Sequence, residues 1–112
     1  MTTVVQAQLV APAQLASADA SIYNVPTRTT AKIGRAVFTN TTASAVTITA
    51  GITTGGALGA ATTLISTRTV APGEAYVSPE LAGQVLPSGS ALRAYASAAS
   101  SITVAVSGIT IQ

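Results

Sequence analysis

Apolar residues recur at every second position along much of this chain. Val46 and Ile48 alternate with Thr47 and Thr49, and the pattern runs on to Ile52; Ile102, Val104 and Val106 alternate with Thr103, Ala105 and Ser107. A period of two sends successive side chains to opposite faces of an extended backbone, so each segment predicts a strand with one covered face. In the last segment the phase slips, because Ile109 and Ile111 resume the alternation only after Gly108. A slip at a glycine predicts a β-bulge that re-aims the strand end.

Strands are also predicted over Thr3 to Val10, Ser21 to Val25, Thr30 to Asn40, Ala61 to Val70, Ala75 to Ser78 and Ala91 to Ser97. The breaks between them have turn chemistry. Ala71-Pro72-Gly73-Glu74 suits a type II turn, with proline fixing one φ and glycine accepting the positive φ that follows. Leu86-Pro87-Ser88-Gly89 offers a second corner of that kind, Asn40 to Ser44 is polar and turn-prone, and Thr53 to Gly59 predicts a flexible loop. Alanine is dense at Ala11 to Ala20, where a short helix competes, and at Ala94 to Ala99, where Tyr95 and the β-rich flanks favour a strand. No repeat of 20 to 50 residues is present. The pattern predicts an all-β fold: a single antiparallel β-sandwich or jelly roll of about eight strands. Residues 1–20 form an N-terminal strand or arm with its connection, and residues 21–112 the β-sandwich domain.

Composition adds a statement about surroundings. Charged residues make up 7% of the 112, against about 25% in ordinary soluble domains, and mean hydropathy is +0.55. The core must be assembled from small side chains, with one Phe, Phe38, and three Tyr as its large pieces. A domain this small and this apolar is expected to cover much of its surface with neighbours, the alternative being a Thr/Ser-coated surface kept soluble by hydroxyls. Tyr23, Tyr76 and Tyr95, whose rings pack while their hydroxyls stay hydrated, are candidate interface residues, as are Gly55, Gly56 and Leu58 of the flexible loop. Some of the tyrosines must instead be interior pillars, and Phe38 is expected in the core.

The same composition removes most chemistry. Histidine and cysteine are absent, so the commonest general base, the commonest metal ligand and any thiol chemistry are missing, and no cofactor is expected. Asp19, Glu74 and Glu80 are the carboxylates, and their spacing defines no acid/base pair. A serine nucleophile would have only Lys32 as its base, with no nucleophile elbow around it. Gly55, Gly56 and Gly59 are followed by no Lys-Ser/Thr, so they form no phosphate loop. Asn40-Thr41-Thr42 matches a glycosylation acceptor in form alone, since Met1 to Val10 has no secretory pattern and cytoplasmic synthesis is expected. A net charge of +2 from Arg28, Lys32, Arg35, Arg68 and Arg93 is too small for a nucleic-acid footprint, and no apolar run reaches the length of a membrane helix.

Ile22-Tyr23-Asn24-Val25-Pro26, Thr30-Ala31-Lys32-Ile33, Val37-Phe38-Thr39-Asn40-Thr41 and Val46-Thr47-Ile48-Thr49 together resemble the opening of small virion structural proteins of tailed bacteriophages. The Ala71 to Glu74 turn, the Leu86 to Gly89 corner and the closing Ile102 to Ile111 strand resemble the same group. In those proteins an acidic residue often follows the corner; Ser90 stands there in this chain. The resemblance implies a virion component assembled in the host cytoplasm: a capsid decoration or head-fibre protein, or a neck or tail accessory subunit. Its implied partners are copies of itself, as a trimer or ring, and other virion proteins. A carbohydrate-binding module at a tail tip is the expectation from another functional class.

Overall fold

The structure is a computed structural model and describes residues 3–54 and 56–112. Its strands are β1 (Val4–Gln14), β2 (Ala20–Asn24), β3 (Thr30–Asn40), β4 (Val46–Thr53), β5 (Thr63–Val70), β6 (Ala75–Val77), β7 (Val85–Leu86), β8 (Ala91–Ala96) and β9 (Ile102–Ile111). All pairings are antiparallel. One sheet, here called A, runs β1-β9-β3-β6, with β7 beside β6 on the same edge of β3; the other, sheet B, runs β2-β8-β4-β5. The chain crosses from one sheet to the other at every connection except the β4–β5 hairpin and the β6–β7 step. Those two strand orders are the connectivity of a jelly roll, with its penultimate strand of sheet A split into β6 and β7. No helix among the described residues is long and apolar enough to cross a membrane.

Alternation explains which face is inside. In β3, Ala31, Ile33, Ala36, Phe38 and Asn40 are buried while their neighbours look outward; in β9 the buried set is Ile102, Val104 and Val106. Opposite them, sheet B contributes Ile48, Ala50, Leu92, Ala94 and Ala96, which pair across β4 and β8. Phe38 fills the centre as the largest fully buried side chain. Val10 of β1 and Leu15 just beyond it belong to the same core, with Leu9 packed against it. The short helix weighed for Ala11 to Ala20 does not form. Ala11 to Gln14 continues β1 instead, because pairing with Val104 and Thr103 satisfies backbone groups that a short helix would leave unpaired.

The slip expected at Gly108 does not occur in β9, whose Ile109 and Ile111 instead face outward; bulges lie beside it. Strand β9 is continuous, and the extra residues are on its neighbours: Gly34 in β3, between the pairs Ile33–Gly108 and Arg35–Ser107, and Leu9 in β1, between Gln8–Ser107 and Val10–Val106. A Cβ at Gly108 would fall 2.0 Å from the Lys32 carbonyl oxygen, so only glycine allows β3 to bulge against β9 there. Glu74 N–H bonds the Ala71 carbonyl with Gly73 at φ +74°, the predicted type II turn. At the second corner the bond runs from Ser90 N–H to the Pro87 carbonyl, with Gly89 at φ +84°. That turn begins one residue later than its sequence suggested. At the far end of sheet A, Thr3 and Gln112 exchange two backbone hydrogen bonds, each 2.9 Å long.

Candidate assembly interface

The outward faces of the two sheets differ. On sheet B the outward positions are hydroxyl-rich, with Thr47, Thr49 and Thr53 of β4 beside Tyr95 and Ala91 of β8 and Ser97 just past its end, although Thr49, Thr53 and Ala91 are buried. Part of it is already covered. The segment 56–62 folds back so that Leu58 and the Thr62 carbonyl lie over Gly51, where an added Cβ would meet them at 2.8 and 2.1 Å. Asp19 clamps this segment. Its Oδ2 accepts the Leu58 N–H at 2.8 Å and its Oδ1 accepts Arg93 Nε at 2.9 Å, the one ion pair among the described residues. The Leu58 amide, helped by Arg93 and opposed by partial burial, holds the Asp19 carboxyl below its usual range. Thr62 and Thr63 amides both bond the Gly59 carbonyl, so the end of the expected flexible loop at Leu58 and Gly59 is tied to the residues that follow it.

On sheet A nothing covers the outer face. Cross-strand rows there read Val4–Ile111–Thr30, then Gln6–Ile109–Lys32–Val85, then Gln8–Ser107–Arg35, then Ala105–Val37–Val77. Val4, Val85 and Val77 are 60%, 53% and 44% exposed, whereas an apolar side chain on a monomer face is usually isolated among polar neighbours. A shallow trough lies over the backbone of Gly34 and Gly108, flanked by Gln6, Gln8 and Ile109. Lys32 and Arg35 stand exposed in the middle of this surface. Among the described residues neither forms an ion pair with a carboxylate. Asp19 is held by Leu58 and Arg93, Glu74 accepts the Ala71 N–H at 2.8 Å, and Glu80 accepts the Tyr76 hydroxyl.

The sequence-predicted contact residues are dispersed. Tyr23 sits on the edge strand β2 opposite Leu92, with its ring half-buried against the core, and burial pushes its hydroxyl pKa up. Tyr76, opposite Phe38, is buried at 8% exposure and is one of the interior pillars. Burial and the bond to Glu80 raise its pKa, the same bond lowers that of Glu80, and the Arg68 guanidinium lies 4.3 Å from the ring centroid. Tyr95 is half-buried on the outer face of sheet B, opposite Thr49. Gly56 is exposed at φ +75°, Leu58 is half-buried over Gly51, and Gly55 lies outside the described residues. The structure therefore brings Leu58 and Tyr95 to the outer face of sheet B, and it brings none of the five described residues to the bare face of sheet A. That face was missed because its valines belong to different strands, and only the pairing register collects them. Among the described residues no three acidic or metal-binding side chains gather at one point.

Asn40 settles the glycosylation match. It is fully buried; its amide donates to the Ser44 and Val70 carbonyls at 2.7 and 2.9 Å, and its oxygen accepts from the Thr42 N–H and hydroxyl. No room or free valence is left for a sugar.

No family profile and no curated protein matches the sequence. The fold is similar to part of a chain in the structure of infectious bursal disease virus, strain Gx. The TM-score is 0.56 at 15% identity, over 99% of this chain and 32% of that one, so this chain spans about a third of its neighbour's length. At that identity the likeness concerns the fold: a jelly roll that also occurs in a viral structure.

Proposed function

We propose that this chain is a non-enzymatic structural subunit of a virus particle, a jelly-roll domain that packs flat against neighbouring subunits. The observation that carries the reading is the uncovered outer face of sheet A, where exposed valines from β1, β6 and β7 flank Lys32 and Arg35 with no carboxylate to pair them. Such a face gains by exchanging water for another protein surface. Small Thr, Ala and Val side chains lose little rotamer freedom when they are ordered there. The jelly-roll likeness to a chain from a viral structure supports a virion role, and the resemblance of the sequence to tailed-bacteriophage proteins supports a bacteriophage.

Within that reading the chain docks on the capsid as a decoration or head-fibre protein, in association with copies of itself as a trimer or ring. A neck or tail accessory position is the alternative. A tail-tip carbohydrate module has less support, because sugar sites stack on exposed aromatic rings. Phe38 and Tyr76 are buried and Tyr23 and Tyr95 half-buried, so no described aromatic ring is fully open. Cryo-electron microscopy of purified particles from the virus encoding this chain tests the assignment. Density for the jelly roll, with the outer face of sheet A turned toward a neighbouring subunit, is expected. Particles lacking the chain, or carrying it with that face open to solvent, would reject the assignment.

A further inference from the structure

A sheet edge exposes a row of unpaired backbone groups, and three of the four edges in this sandwich are blunted. Strand β2 is five residues long and has a register shift at Ser21/Tyr23; β5 has two shifts and a positive φ at Thr67; the β6/β7 edge is broken into pieces of three and two residues. The outer edge of β1 is half protected, since bulging at Leu9 and Pro12 interrupts its second half. The first half has no such device. From Thr3 to Gln8 the strand is regular and uncharged, and the sequence has no charged residue before Asp19.

The hydrogen-bond phase identifies the free groups. Thr3 and Gln112 exchange both backbone bonds, so by antiparallel alternation Val5 with Thr110 and Ala7 with Gly108 do the same. The N–H and C=O of Val4, Gln6 and Gln8 therefore point away from β9. The side chains nearby are bare on both sides of the sheet: Val4 is 60% exposed on the outer face and Val5 is 48% exposed on the other.

We propose that this edge pairs antiparallel with the same edge of a second copy about a two-fold axis at Gln6, joining sheet A of the two molecules into one continuous sheet. Gln6 then exchanges both backbone bonds with the partner's Gln6, and Val4 lies opposite the partner's Gln8. The charge-free segment is self-complementary, because antiparallel pairing brings no like charges together. A seam of five residues per strand, Val4 to Gln8, covers far less than the roughly 1,200 Å² of a stable free-standing complex, so the pairing is weak in dilute solution and takes effect where copies are concentrated on a surface. The proposal rests on the reading that copies of the chain associate, and it adds a two-fold contact separate from the one that would close a trimer or ring.

Amide hydrogen exchange of the isolated protein, read by NMR over a concentration series, tests it. Val5 and Ala7 are expected to exchange slowly throughout. Val4, Gln6 and Gln8 should slow by about tenfold or more as sedimentation velocity shows self-association. Gln6→Pro removes one outward N–H and leaves the β9 ladder intact, so it should keep the wild-type spectrum elsewhere and lose association. Gln6→Lys sets two cations opposite each other on the axis and should act the same way. If wild type and both variants associate equally, the edge pairing is wrong while the assembly reading stands. Protection of Val4, Gln6 and Gln8 that arises only on adding a different virion protein also overturns it.

Discussion

Two residues show how single positions fix this fold. At Gly108 a methyl group would lie 2.0 Å from the Lys32 carbonyl oxygen and 3.1 Å from the Gly34 nitrogen, both backbone atoms that cannot rotate aside. Gly108→Ala is therefore expected to cost about 3 kcal/mol or more, seen as a lower urea midpoint at unchanged slope. Asn40 is the second. Its four side-chain hydrogen bonds hold the 41–45 turn to Val70, while its backbone carbonyl accepts the Gly73 N–H at 3.0 Å. Asn40→Ala strands several buried partners at once and should destabilise by about 2 to 4 kcal/mol in the same measurement. The sequence made Gly108 visible, since the phase of Ile109 and Ile111 changes there. It could not say that the extra residues belong to β1 and β3, because a bulge is a property of a pair of strands. The buried role of Asn40 was hidden too: a polar residue ending a strand reads as surface until its partners from distant turns are known.

Elements with strong alternation were legible, and those defined by a partner were not. Strand β3 spans the predicted Thr30 to Asn40 and β9 the predicted Ile102 to Ile111, because each is long and carries apolar residues at alternate positions over much of its length. Strand β7 is two residues, Val85 and Leu86, and exists as a strand only through its pairing with Lys32 and Ala31. The glycines of Thr53 to Gly59 predict a flexible loop, and the clamp that holds Leu58 comes from Asp19, far away in sequence. That clamp has a pH signature. The Asp19 carboxyl is held below its ordinary value of 3.8 in the folded chain, so its contribution is full above that value and disappears as pH falls through the lower folded value. Glu80, held below 4.5 by the Tyr76 hydroxyl, acts in the same direction. Thermal stability is expected to be level above about pH 5 and to fall below about pH 4. Asp19→Asn should flatten part of that fall and speed amide exchange at Leu58.

At the scale of the molecule, the fold class followed from the strand rhythm, and the choice of jelly roll over other sandwiches came from which strands pair. Scarce charge predicted a surface meant for contact, and the structure concentrates exposed valine on sheet A while a folded-back segment covers part of sheet B. The cations on that face are separable from folding. Lys32→Glu with Arg35→Glu alters two exposed side chains without a carboxylate partner, so unfolding midpoints should stay within about 0.5 kcal/mol of wild type. Incorporation into particles, measured by competition with wild-type chain, should drop by about tenfold or more if the docking surface is acidic. The closing rung between Thr3 and Gln112 bears on engineering as much as on assembly. Because those two residues bond directly, a partner domain joined before Thr3 and one joined after Gln112 would leave from the same pole. The opposite pole, built by the turns after Asn40 and Val70, would then point away from whatever is attached, like the free end of a peg.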